Sequence, residues 1–148
     1  MKTSKRNYIL MFLDPILFVN AMAFISVYAV IPNFLNDMGA STFQISLAGA
    51  LVSIGSFISQ PIFAQLAMRS PVKTITFSKL LFIQRIMFMV YVLLIPLLVS
   101  QYPGISIVLF LVCWGIFNFF VGCYSPFYMS VLSKVISENQ RGRLQGFS

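Results

Sequence analysis

The 148-residue chain has no histidine, three acidic side chains (Asp14, Asp37 and Glu138) and two cysteines, and only 9% of its residues are charged. Without histidine and with almost no carboxylates, the usual general bases, charge relays and imidazole metal ligands have little to be built from. The sequence is therefore expected to be no enzyme and to carry no cofactor or metal. Cys113 and Cys123 lie ten residues apart in one apolar stretch. A helix would separate them by about 15 Å, beyond disulfide reach, so packed free thiols are expected. A soluble domain carries about a quarter charged residues; this chain lacks the polar atoms to cover a wet surface, and its expected solvent is lipid.

What is present is apolar: 59% of residues belong to the hydrophobic set and 16% are aromatic. A membrane-crossing helix needs about twenty consecutive, mainly apolar residues, and four stretches meet that length: 8–35, 43–67, 77–99 and 105–133. The expected fold is all-α, a single polytopic membrane bundle of four transmembrane helices over residues 1–148. Local signals mark the boundaries. Gly39 suits a left-handed C-terminal cap, and Ser41 with Gln44 has the spacing of a capping box. Pro71 and Pro103 stop or start helices, because proline cannot continue one and biases the residue before it away from helical torsions. Ala21-Met22-Ala23 superficially resembles a signal-peptidase site, but Asp14 and Pro15 interrupt the apolar core such a leader requires. An uncleaved first span is expected.

The net charge of +7 would suggest nucleic acid in a soluble protein. Here the basic residues are sorted by segment: Lys2, Lys5 and Arg6, then Arg69, Lys73 and Lys79, then Lys134, Arg141 and Arg143, with none in the other two connections. That alternation is what the positive-inside bias produces for four spans with both termini cytoplasmic. The expected location is the cell (plasma or inner) membrane, the expected partner the lipid bilayer, and no nucleic-acid partner is expected.

A few residues stand out against the apolar background. Ser46, Gly49, Ser53, Ser56 and Gln60 share one helical face, which reads either as a helix-packing seam or as a sliding surface. Gly115 and Gly122 make a close-contact face, and Pro126 a kink. Asp14 is an intramembrane acid suited to proton or cation handling, or, followed by Pro15, an N-cap. Arg85 cannot be excluded from its span without leaving that span too short. It either snorkels to the cytoplasmic interface or pairs with Asp14. Asn20, Tyr28 and Asn118 are polar groups near mid-membrane depth, read either as helix-joining hydrogen bonders or as the lining of a substrate cavity.

Ile31-Pro32-Asn33-Phe34-Leu35, then Met38-Gly39-Ala40-Ser41 and Gln44-Ile45-Ser46-Leu47, resembles the end of the first span, the external loop and the start of the second span in major facilitator superfamily transporters of the efflux branch. In the next loop Leu66, Ala67, Arg69 and Lys73 match that family's cytoplasmic gate-loop motif, while Ala64, Met68 and Pro71 replace its first glycine, its aspartate and its second glycine. Gly115 resembles the glycine of a second motif, but Leu111 stands where that motif has arginine. The run Glu138-Asn139-Gln140-Arg141-Gly142-Arg143-Leu144-Gln145-Gly146 resembles the Arg-Gly-Arg segment between the fourth and fifth spans. The resemblance implies a secondary transporter of a small molecule, outward and proton-coupled, with twelve helices in two halves. This chain would then be an amino-terminal fragment unable to run alternating access alone. The other expectation is a complete four-span protein acting as an oligomer or accessory subunit; it differs in having no helices beyond residue 148.

Overall fold

A computed structural model describes residues 5–135 of the chain. Lys2 and the 136–148 segment, with Arg141, Arg143 and the Arg-Gly-Arg resemblance, lie outside the described residues. Six helices follow in order: α1 (Lys5–Phe24), α2 (Val30–Asp37), α3 (Thr42–Arg69), α4 (Lys73–Leu98), α5 (Pro103–Val121) and α6 (Tyr124–Val135). There is no strand among the described residues. Three helical stretches are long and apolar enough to cross a membrane: Thr42–Arg69, Lys73–Ile95, and Pro103–Leu132, which runs through α5 and most of α6.

The helix boundaries follow local chemistry. Gly39 has φ +80°, and around it the Ala40 amide donates to Leu35 O and the Gly39 amide to Asn36 O, each at 2.9 Å. Those two bonds close α2 in a Schellman cap. The Ser41 hydroxyl accepts from the Gln44 amide at 3.3 Å and the Gln44 side chain accepts from the Ser41 amide at 2.8 Å, completing the capping box that opens α3. Arg69 ends α3 just before Pro71, and Pro103 is the first residue of α5.

Two expectations are corrected. The 8–35 stretch is not one helix. It is divided at residues 25–29, and its continuous apolar helix, Phe12–Phe24, is shorter than the three crossing stretches. Pro32 supplies the reason, because a proline ring collides with the carbonyl four residues earlier and leaves it without a donor; here that carbonyl is on Tyr28, inside the break. The Val30 and Ile31 amides both fall back on Ser26 O, at 2.9 and 3.1 Å. Pro126 acts likewise on Gly122, where α5 gives way to α6 and the Cys123 amide turns to Phe120 O at 3.1 Å. The second correction concerns Asp14, which is not an N-cap: α1 begins at Lys5 and carries Pro15 within it.

α5 is the centre of the bundle, packed against both α3 and α4. Its buried residues, Ser106, Ile107, Phe110, Leu111, Trp114, Phe117 and Asn118, recur every three or four positions, one continuous helical face. Trp114 is fully buried and its indole Nε1 donates to Ala48 O of α3 at 3.0 Å. The α3 seam runs through Ala48, Gly55, Ser59, Phe63 and Ala67. The expected stripe is therefore rotated away from it: Ser46, Gly49, Ser53 and Gln60 are exposed and Ser56 is half-buried. Two small-residue faces adjoin on α3, and the choice between them is made by the backbone of α5, which crosses at Gly55.

Gly122 sits where α3 meets the α5–α6 junction. A Cβ there would lie 1.7 Å from Ser59 Oγ and 2.8 Å from Ser56 O. Gly122→Ala is expected to lower stability by about 1–3 kcal/mol, whereas Gly104→Ala, with nothing within 4 Å of its Cβ position, leaves stability unchanged. Unfolding in detergent, followed by helical circular dichroism, checks both. Equal midpoints for the two variants would rule out the close approach.

Candidate functional site

Two helices bring polar side chains into one cleft that a third helps to line. Gln84 of α4 is buried, and its Nε2 donates to Phe117 O of α5 at 3.4 Å, which docks α4 against the central helix. The next residue, Arg85, lies about 100° further round the helix and is exposed. Across from it α1 presents Asp14, half-buried. Asp14, Gln84 and Arg85 line a cleft of about 460 Å³ whose remaining wall is apolar, from Leu17, Phe18, Ala21, Met22 and Ile25 of α1 and Phe117 of α5. Its size is in the range of small-molecule sites, which combine a mainly apolar lining with a few placed polar groups.

Asp14 Oδ2 accepts a 2.8 Å hydrogen bond from the Tyr124 hydroxyl of α6. The Tyr124 ring is held from several sides: it stacks on Phe18 at 5.5 Å and on Tyr128 at 5.3 Å and meets the Phe77 ring edge-on at 5.7 Å. Its hydroxyl is thus aimed by packing. Of the two alternatives for Arg85, the ion pair with Asp14 is not formed among the described residues; the two charges share the cleft, but the carboxylate takes a phenol from a different helix.

The proposed cavity residues are not brought together. Asn20 is exposed and its amide donates to Ile16 O of its own helix at 2.8 Å. Tyr28 is 95% exposed in the break between α1 and α2. Asn118 is buried in the α3–α5 seam and donates to Trp114 O at 2.8 Å. In the expected gate loop, Arg69 is the exposed last residue of α3, Leu66 is exposed, and Ala67 is buried beside Phe127. Lys73 begins α4 and its Nζ donates to Ser130 Oγ of α6, tying the α3–α4 connection to the last helix. Gly115 touches Leu51 at its Cβ position, at 3.4 Å. Cys113 and Cys123 are free thiols, Cys123 fully buried.

Gln84 and Tyr124 are the site residues that sequence reasoning missed. For Gln84 a signal existed, an uncharged polar residue beside Arg85 in an apolar run. For Tyr124 none did, because one hydroxyl among six tyrosines and sixteen phenylalanines has no distinguishing period. Comparison with family models, with curated proteins and with solved structures returns no match.

The Asp14–Tyr124 bond is expected to show a coupling energy of about 1 kcal/mol, the order found for polar bonds between membrane helices. A double-mutant cycle of Asp14→Asn and Tyr124→Phe, read by unfolding in detergent, measures it. Strict additivity of the two changes would mean that the bond contributes nothing.

Proposed function

We propose that the chain contributes part of a secondary active transporter of a small molecule, of the major facilitator type and its efflux branch, with the proton as coupling ion. The observation that carries this reading is the polar cleft: Asp14, Gln84 and Arg85, from two helices, line one cleft together with Phe117 of a third. Ionisable groups inside an apolar bundle are costly and mark solute or proton pathways. The run from Ile31 to Leu47 and the 64–73 loop support the choice of family by resemblance. In this reading α1 and α2 together make the first of four crossings, a discontinuous helix of the kind that transporters use near their sites.

The orientation proposed has both termini in the cytoplasm. Arg69 and Lys73 stand at the α3–α4 connection, and the bond from Lys73 to Ser130 places that connection at the end of the bundle where α6 carries Lys134. The opposite connection, after α2, carries Asp37. That separation of charge supports a cytoplasmic face at the Lys73 end. Arg69 and Lys73 would work there as gate-loop residues, and the bond to Ser130 would have to yield when the loop moves.

Everted vesicles from cells expressing the natural reading frame that contains this chain test the proposal. With an imposed pH gradient, uptake of at least one of three probes (a lipophilic cationic dye, a lipophilic anion, an aromatic amino acid) is expected to be gradient-driven and to fall about tenfold or more in Asp14→Asn, the scale of a lost charge-assisted interaction. Absence of gradient-dependent flux for all three, with a stable oligomer in the membrane, would favour the four-span accessory protein instead.

A further inference from the structure

The geometry points to the Asp14–Arg85 cleft as a binding site for a small zwitterion with an apolar body. Its cationic group would be set against Asp14, its anionic group against Arg85, and its hydrocarbon or aromatic part against Leu17, Met22 and Phe117. This deepens the transporter reading by naming a substrate class, and its binding test stands apart from transport.

Four observations carry it. Among the described residues, those lining the cleft carry one charge of each sign. Among the described residues the charges do not neutralise each other: Asp14 is engaged through Oδ2 by an uncharged phenol, which leaves its charge uncancelled, and it forms no ion pair with Arg85. Opposite charges facing one cleft attract a ligand carrying the complementary pair more strongly than either charge alone. The rest of the wall is apolar, and about 460 Å³ admits a body the size of an aromatic amino acid. A simple lipophilic cation would leave Arg85 unmatched, and a simple anion would leave Asp14 so. Zwitterionic phospholipid headgroups offer the same chemistry as a free solute.

The chain carries its own reporter. Trp114 is the single tryptophan, and its ring stacks on Phe117, which lines the cleft, at 5.5 Å. The full chain is placed in nanodiscs of phosphatidylglycerol, and Trp114 emission is titrated with phenylalanine, phenethylamine and 3-phenylpropionate. These carry both charges, the cation alone and the anion alone on one skeleton. Phenylalanine is expected to bind at least about tenfold more tightly than either analogue, the scale of one charge-assisted hydrogen bond. Arg85→Gln, at an exposed position, is expected to reduce phenylalanine to the affinity of phenethylamine. Asp14→Asn should reduce it to that of phenylpropionate.

Because Asp14→Asn also disturbs the bond to Tyr124, Ala21→Phe provides a second arm. It fills the cleft from an exposed position without touching either charge, and is expected to abolish all three titrations while helical circular dichroism is retained. Loss of the titration when phosphatidylethanolamine replaces part of the phosphatidylglycerol assigns the cleft to a lipid headgroup; an unchanged titration assigns it to a free solute. Equal affinity for the three probes, or an unaltered preference in Arg85→Gln, overturns the inference. Flux in vesicles together with equal affinities would leave the transporter reading standing and this one refuted; binding without flux would do the reverse.

Discussion

The backbone approach of α3 and α5 is the constraint on which the rest of the bundle depends. In lipid, apolar helices gain little by leaving hydrocarbon for one another, so association needs close packing and interhelical hydrogen bonds. Both are concentrated here. A Cβ on Gly55 would lie 3.1 Å from the Asn118 backbone, and the Trp114 indole donates to Ala48 O two turns away. With α5 placed by α3, the adjoining part of its buried face receives α4 through Gln84, and Phe117 is then shared between that contact and the cleft. The site is thus a consequence of how the central helix is gripped.

Proline determines the second level of organisation, and it acts at a distance of four residues. Pro32 and Pro126 each disable a carbonyl one turn upstream, and the two interruptions in the apolar stretches fall there, at residues 25–29 and at Gly122-Cys123. Pro15 and Pro61 remain inside their helices, so a single missing bond does not by itself end a helix. Hydropathy is blind to this difference, because it averages over windows longer than a turn. The 8–35 stretch accordingly reads as one span and folds as two helices. Gly39, Ser41, Gln44, Pro71 and Pro103 were legible as boundaries for the opposite reason: each acts within its own turn, on amides and carbonyls whose positions the local sequence determines.

The candidate site was legible in its charges and illegible in their partners. Asp14 and Arg85 are conspicuous because almost nothing else in the apolar stretches is ionisable. Their depth suggested a mutual ion pair, a one-dimensional inference; which side chain reaches Asp14 depends on how α6 leans after the break at Gly122, which no periodicity encodes. The small-residue stripe meets α5 only at Ser56, for a related reason. Ser46, Gly49 and Ser53 make as good a face by spacing as Ala48, Gly55 and Ser59 do, and only the partner helix distinguishes them.

The separation of Asp14 from Arg85 is built by neighbours that are themselves neutral. Tyr124 is clamped between Phe18 and Tyr128, so its hydroxyl holds the carboxylate toward α6 without cancelling its charge. Gln84 anchors to Phe117 O, and the helical step from Gln84 to Arg85 turns the guanidinium outward. The carboxylate that Tyr124 engages is thus held by the aromatic stack around that ring rather than by the guanidinium. Neutral residues here control the electrostatics more than the charged ones do.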